Sequence, residues 1–325
     1  MLYSDFECLN FYILRLFRDK FSIIYIIRKG WVIEMIKDKG HLYKLGFYKS
    51  KRCGYLFLLP SLLGVIIFVF LPFIDSIKRA FFEAMSSKFV GINNFENVIN
   101  NDAFILASKN TIKFLFTCIP LLLIISLLLA FMICNLKKYK EFIKTSYLIP
   151  MSIPVASVVL IWKVFFHSNG LINKYLSMFG YTSNVEYLNS SKAFYVLVFT
   201  YIWKNCGYTM ILWLAGLSSI NSSIYEAAAV DGCSKFKQFI YITLPNLKVT
   251  FFTVATLSIV NSFKVFREAY LISGDYPHES IYMMQHLFNN WFVSLDVQKM
   301  CAAAVIMAAF ILTIIFILQI ICERE

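Results

Sequence analysis

The sequence is short of charge. Asp, Glu, Lys and Arg make up 15% of its 325 residues, against about 25% in ordinary globular chains. A chain this poor in charge is neither a self-repelling disordered segment nor a charged coiled coil. Histidine is also scarce, at four residues, and the eight cysteines contain no CxxC pair. With no His at ligand spacing, those cysteines build no metal site, and the ones in apolar runs behave as small hydrophobes. HExxH, paired carboxylates and a Cys/His constellation are missing, so the sequence names no catalytic residue, metal or cofactor. A GxxxxGK[ST] loop is missing too. The chain cannot hydrolyse ATP by that route and would have to borrow an ATPase.

Apolar residues fill what charge leaves open. They reach 59%, with 33 Phe, against about 45–50% in globular chains. A soluble protein of this composition would expose large apolar patches. The reading is an all-α, polytopic membrane protein. A helix needs about 20 apolar residues to cross a hydrocarbon core about 30 Å thick. Six stretches qualify, near Tyr55–Ile74, Ile112–Asn135, Tyr147–Phe166, Phe194–Gly216, Val249–Ser273 and Cys301–Ile321.

Six spans put both termini on one side. With the N-terminus inside, the segments 1–54, 136–146, 217–248 and the C-terminal tail hold 11, 4, 3 and 1 Lys or Arg, or 19 of 31. Short loops dominate the positive-inside bias, and Lys137, Lys138, Lys140 and Lys144 crowd the shortest. The net charge of +12 is thus assigned to membrane orientation rather than to nucleic acid. The predicted location is a bacterial cell membrane, both termini cytoplasmic. The chain reads as a basic segment over 1–54 and a membrane domain over 55–322. In the basic segment, Arg15, Arg18, Lys20, Arg28 and Lys29 alternate with apolar residues. Either this is an amphipathic helix on anionic lipid, or translation starts at Met35.

The loop after the fourth stretch, Leu214 to Lys248, has legible local structure. Ser223 and Glu226 have capping-box spacing, so a helix is expected to start at Ser223 and run through Ala227, Ala228 and Ala229. Gly232 stops it. A second helix follows through Phe236, Phe239, Ile240 and Tyr241, and Pro245 breaks or kinks it. A plain loop with one amphipathic helix remains the alternative at this level. The spacing Glu226-Ala227-Ala228, Asp231-Gly232, then Ile242, Leu244 and Pro245 resembles the EAA signature of ABC importer permeases. FLLPSLLGVIIFVFLPF, FVGINNFENVI, YLIPMSIPVASVVLIWKVFF, GLINKYLSMFG and YIWKNCGYTMILWLAGLSSI narrow the resemblance to the carbohydrate-type branch, the maltose and glycerol-phosphate permeases. Three features depart from it. Cys233 stands for a usual Ala, Arg267 for a usual Asp, and Ser273-Gly274-Asp275-Tyr276-Pro277 for a usual Gly-Gly-Pro.

The resemblance implies a permease subunit, not itself an enzyme. Its implied partners are a second, different permease, two copies of a cytoplasmic ATPase, an external solute-binding protein, a carbohydrate and membrane lipid. It also implies that Glu226, Ala227, Ala228, Asp231, Gly232, Ile242, Leu244 and Pro245 form the element that docks on the ATPase. Polar residues within spans cost a few kcal/mol each near the bilayer centre and tend to face a cavity or a partner. On that ground Lys204, Asn205, Tyr208, Asn261, Ser262 and Lys264 are expected at a substrate cavity, with Trp203 and Tyr208 able to stack on a sugar ring. The competing reading is an ion-coupled secondary transporter. Such proteins need intramembrane carboxylates, and in these six stretches the first is Glu268.

Overall fold

The computed structural model describes residues 51–83, 88–134, 136, 138–180 and 185–323, with side chains from Leu58 onward. The N-terminal amphipathic reading, the Met35 start and Lys137 fall outside the described residues. The chain divides between Pro60 and Ser61. Of the first unit only 51–60 is described, as helix, and the packing below is that of the second.

Among the described residues the chain is nearly all helix, and no strand forms. Helix α1 (Lys51–Val65) passes through a π-helical turn, Ile66–Phe70, into α2 (Leu71–Ala80). Pro72 has no N–H and its ring crowds the carbonyl four residues back. The wide turn just before it accommodates both effects, and the Leu71 N–H bonds Ile66 O, five residues back. Next come α3 (Asn93–Ile99) and α4 (Asp102–Cys134), whose first turn is capped by Asn101 accepting from the Phe104 N–H at 3.1 Å. Then follow α5 (Lys140–Ser152), α6 (Val155–Phe166), α7 (Leu171–Met178) and α8 (Ala193–Ser219). The rest of the chain is α9 (Ser222–Val230), α10 (Lys235–Gln238), α11 (Leu244–Asn246), α12 (Lys248–Ser262), α13 (Phe266–Ser273), α14 (Met284–Val293) and α15 (Val297–Glu323).

Five helical runs are long and apolar enough to cross a membrane: Leu58–Ala80, Asp102–Cys134, Val155–Met178, Lys248–Ser273 and Val297–Glu323. The expected count of six is not reached on those criteria. The missing one is α8, a helix of 27 residues that Lys204, Asn205, Tyr208 and two threonines make less apolar than its neighbours. The third run also differs from expectation. Tyr147–Phe166 is not one helix, because α5 ends at Ser152 and α6 begins at Val155. Pro154 disfavours helical geometry at the residue before it, and Ile153 is extended, at φ −73° and ψ 128°.

The core lies around α8, which packs on α4, α5 and α12. Fifteen of its residues are buried. Phe114, Cys118 and Leu122 of α4 meet Phe194, Leu197 and Tyr201 of α8. Further along, Leu115, Ile119 and Leu123 meet Met210, Trp213 and Leu214, closed by Val254 and Ile259 of α12. Glycines set the closest approaches. A Cβ on Gly207 would overlap the backbone carbonyl of Tyr147 in α5, and one on Gly216 the side chain of Thr250 in α12. In membranes such small residues bring helices into van der Waals contact without help from a hydrophobic driving force. A third cluster joins Ala80 of α2 and Val98 of α3 to Leu287 and Trp291 of α14 and to Cys301, Ala302 and Ala303 of α15.

Candidate functional site

The segment 221–246 folds as a helical hairpin. Helix α9 starts one residue earlier than expected, and its cap is Asn221 rather than Ser223. The Asn221 side chain accepts from the Ser223 N–H at 3.1 Å. The helix ends in a Schellman arrangement. The Gly232 N–H bonds Ala229 O at 3.1 Å and the Cys233 N–H bonds Ala228 O at 2.9 Å. Gly232 has φ +73°, a conformation in which a side chain clashes with the following carbonyl.

Ser234 caps the returning helix, which runs from Lys235 to Asn246 through a second π-helical turn, Phe239–Thr243. Here too a proline follows by two residues. The Leu244 N–H reaches back to Phe239 O, and Pro245 is carried inside α11 instead of breaking it. The chain bends at Leu247, φ −88° and ψ 1°, before entering α12. Tyr225 Oη and Thr243 Oγ1 lie 2.8 Å apart and tie the two arms. Phe239 packs edge-on against Phe131 of α4 at 5.5 Å between centroids, which joins the hairpin to the bundle. Its outer surface is open and exposes apolar side chains among charged ones. Val230 is 88% exposed, and Phe236, Tyr241 and Leu244 are exposed beside Glu226, Ala227, Asp231 and Gly232. Ala228 and Ile242 are half-buried.

The six residues expected at a cavity separate into groups. Lys204 Nζ pairs with Glu268 Oε1 of α13 at 2.8 Å, and both side chains are largely enclosed. Asn205 donates to Tyr201 O at 2.9 Å within its own helix, and Tyr208 is half-buried beside it. Buried Ser262 donates to Ile259 O at 2.6 Å. Only Asn261 and Lys264 are brought together, with Lys264 Nζ donating to Asn261 Oδ1 at 2.7 Å on the exposed side. The void beside Ser262, lined by Thr111, Phe114 and Phe266 among others, measures about 10 Å³, room for about one water and not for a sugar. Trp203 stands edge-on to Trp162 of α6 at 5.6 Å.

The sequence reading missed the Lys204–Glu268 pair. The available signal was one base and one acid in otherwise apolar helices, since an intramembrane charge requires a partner. Other polar groups of α8 are satisfied across helices: Tyr201 Oη donates to Ser258 O at 2.9 Å, and Trp213 Nε1 to Ser126 Oγ at 3.1 Å.

Residues 122–324 match the family described as binding-protein-dependent transport system inner membrane component. The trehalose/maltose transport system permease protein MalF of Thermococcus litoralis is 32% identical over 71% of this chain and 80% of its own length. The arabinooligosaccharides permease AraP of Bacillus subtilis is 30% identical over 70% and 74%. The sn-glycerol-3-phosphate permease UgpA of Escherichia coli is 28% identical over 84% and 94%. Among solved structures, a bacterial ABC transporter involved in import of the acidic polysaccharide alginate superposes with a TM-score of 0.73, at 24% identity, over 84% of this chain and 96% of that one. That likeness concerns the fold. The long match through the hairpin and the last spans, with a relative at 32% identity, settles the family: the chain belongs to the binding-protein-dependent transport system inner membrane components, the membrane-spanning permeases of ABC transporters.

Proposed function

We propose that the chain is one permease subunit of an ATP-driven carbohydrate importer and supplies half of its translocation pathway. The names of its relatives, for trehalose/maltose, arabinooligosaccharides and glycerol phosphate, support the solute class. In this reading α8 is the sixth membrane crossing, both termini are cytoplasmic, and a second permease completes the pathway. An external binding protein delivers the solute. Two copies of a cytoplasmic ATPase drive the cycle through the 221–246 hairpin. The ion-coupled alternative finds Glu268 already neutralised by Lys204.

The observation that carries the coupling assignment is the hairpin itself. It is built rigidly, with two capped arms and a Schellman turn, yet it leaves Val230, Phe236, Tyr241 and Leu244 exposed. Exposed apolar patches on a structured element mark protein contacts.

Gly232→Val tests it. The Gly232 position has open space around it, so the valine clashes with no neighbour but cannot hold φ +73° without strain. The second arm should be re-aimed while membrane abundance stays normal. ATPase co-purification and sugar uptake should both be lost. Normal association and uptake in this variant would remove the hairpin from the coupling role. Labelling of a cysteine placed in the hairpin by a membrane-impermeant reagent added outside would reverse the orientation.

A further inference from the structure

Two cations of the apolar run Lys248–Ser273 have no carboxylate partner among the described residues. Lys264, in the 3₁₀ turn Phe263–Val265, and Arg267, in the first turn of α13, are both exposed. Lys264 has the neutral Asn261 amide oxygen at 2.7 Å, and no described carboxylate forms a salt bridge with Lys264 or Arg267. The neighbouring Glu268 is 5% exposed and reaches inward to Lys204 at 2.8 Å. Lys204 is the twelfth of the 27 residues of α8, about 3 Å from the middle of that helix at about 1.5 Å per residue. The exposed pair lies in the second half of the run Lys248–Ser273, one of the helices long and apolar enough to cross a membrane. A cation facing lipid within such a run costs a few kcal/mol, so the two side chains face a polar path. Lys204 and Glu268 cancel, which leaves a local charge of +2 on the surface.

Resting on the importer reading above, we infer that the solute carried past Lys264 and Arg267 is an anionic carbohydrate, one bearing a carboxylate or phosphate. Arg267 supplies the planar, forked donor set that suits either group. Lys264, steered by Asn261, supplies a second point charge one turn away. A neutral sugar would leave both cations unpaired in the pathway, whereas an anion compensates them during passage.

The test uses cells carrying the complete importer. They receive a mixture of carbon-14-labelled short oligosaccharides from starch, which are neutral, and from polygalacturonate, which are acidic. The label accumulated only when this gene is present is separated by anion exchange. Acidic label is expected. Arg267→Gln should lower its uptake by about ten- to a hundredfold, the effect of removing a hydrogen bond to a charged group, with Lys264→Gln acting in the same direction and Arg267→Lys, which keeps the charge but loses the fork, falling between Arg267→Gln and the unchanged chain. A gene-dependent pool that is neutral overturns the inference and leaves the importer reading standing. Acidic uptake that both glutamine variants leave unchanged also overturns it, and assigns the two cations to contacts with the second permease. No gene-dependent label at all overturns the inference of an acidic oligosaccharide, while the importer reading stands or falls on the Gly232→Val test above.

Discussion

The run Leu58–Ala80 and helix α8 are similar in length, 23 and 27 residues, and differ in what surrounds them. The first is apolar on every side from Leu58 to Ile74, and no residue of its most apolar stretch is buried in the chain. Side chains such as Phe68, Val69 and Phe70 point away from the protein. α8 carries a lysine, an asparagine, threonines and tyrosines, and it is the helix around which the others assemble. Lipid tails reward uniform apolarity and cannot satisfy polar groups. Neighbouring helices reward small residues at contacts and polar groups that find partners. Low hydropathy in α8 is therefore a sign of burial in protein.

The sharpest way to break this comparison is to put the same side chain at a glycine in each helix. Gly207→Leu in α8 drives a branched side chain into the Tyr147 backbone, which cannot yield as a flexible side chain could. The expected cost exceeds the usual 1–3 kcal/mol of overpacking, and membrane abundance should collapse. Gly64→Leu in α1 meets nothing within 4 Å and gains helix propensity, so abundance should hold. Equal loss in both variants would mean that the first run also packs tightly.

Next in size is the buried ion pair. Glu268→Gln leaves Lys204 without its counter-charge, and breaking such a pair costs about 3–5 kcal/mol. The double change Lys204→Met with Glu268→Leu should recover most of the loss in thermal stability in detergent, since an apolar pair of similar volume is often neutral or better. If the single change proves harmless, α8 does not depend on its polar contacts.

A smaller effect lies outside the spans, where α14 depends on His286. This residue is fully buried between the rings of Phe266 and Tyr282. Its Nδ1 accepts from the Met283 N–H at 3.2 Å. Nε2 finds no partner among the described residues. Burial lowers its pKa from 6.5 to about 4. The docked helix thus holds the neutral ring, while the undocked one takes up a proton below pH 6.5. Stability should fall as pH drops from 6.5 towards 4 and level off below, a span of about 3 kcal/mol at about 1.4 kcal/mol per pKa unit. Hydrogen exchange across 284–293 at pH 7.5 and 4.5 measures it. His286→Gln, which keeps an acceptor, should remove most of the pH dependence.

Smallest is a pair of conservative changes on the two helices. Ser126→Ala removes the acceptor of the buried Trp213 N–H that ties α8 to α4, at about 1–3 kcal/mol. Phe68→Leu on the first run removes nothing that packs within the chain, and its thermal midpoint should move far less. A larger shift for Phe68→Leu would reveal a partner seated on that face.

Legibility in the sequence followed the range of the interaction. Gly232 stands at positive φ just past a helix of alanines because the signal is local: only glycine tolerates that conformation cheaply. The cap moved from Ser223 to Asn221 because both residue types cap equally well, and packing of Tyr225 onto Thr243 settles which turn comes first. The break at Ile153–Pro154 was visible in the residues and was overridden by the apolar length of the stretch. The six polar residues expected at a cavity were legible as polar positions but not by their partners, because a polar residue in a span has several ways to be satisfied.

By itself, then, the sequence determined the all-helical membrane class, five of the apolar runs, the hairpin with its glycine stop, and the family, because each depends on composition or on residues a few positions apart. Only the tertiary structure decided that α8 is the centre, that Lys204 and Glu268, 64 positions apart, neutralise each other, and that Lys264 and Arg267 are left exposed. These outcomes depend on which helix faces of distant segments meet, and apolar surfaces that attract without direction do not encode that choice locally.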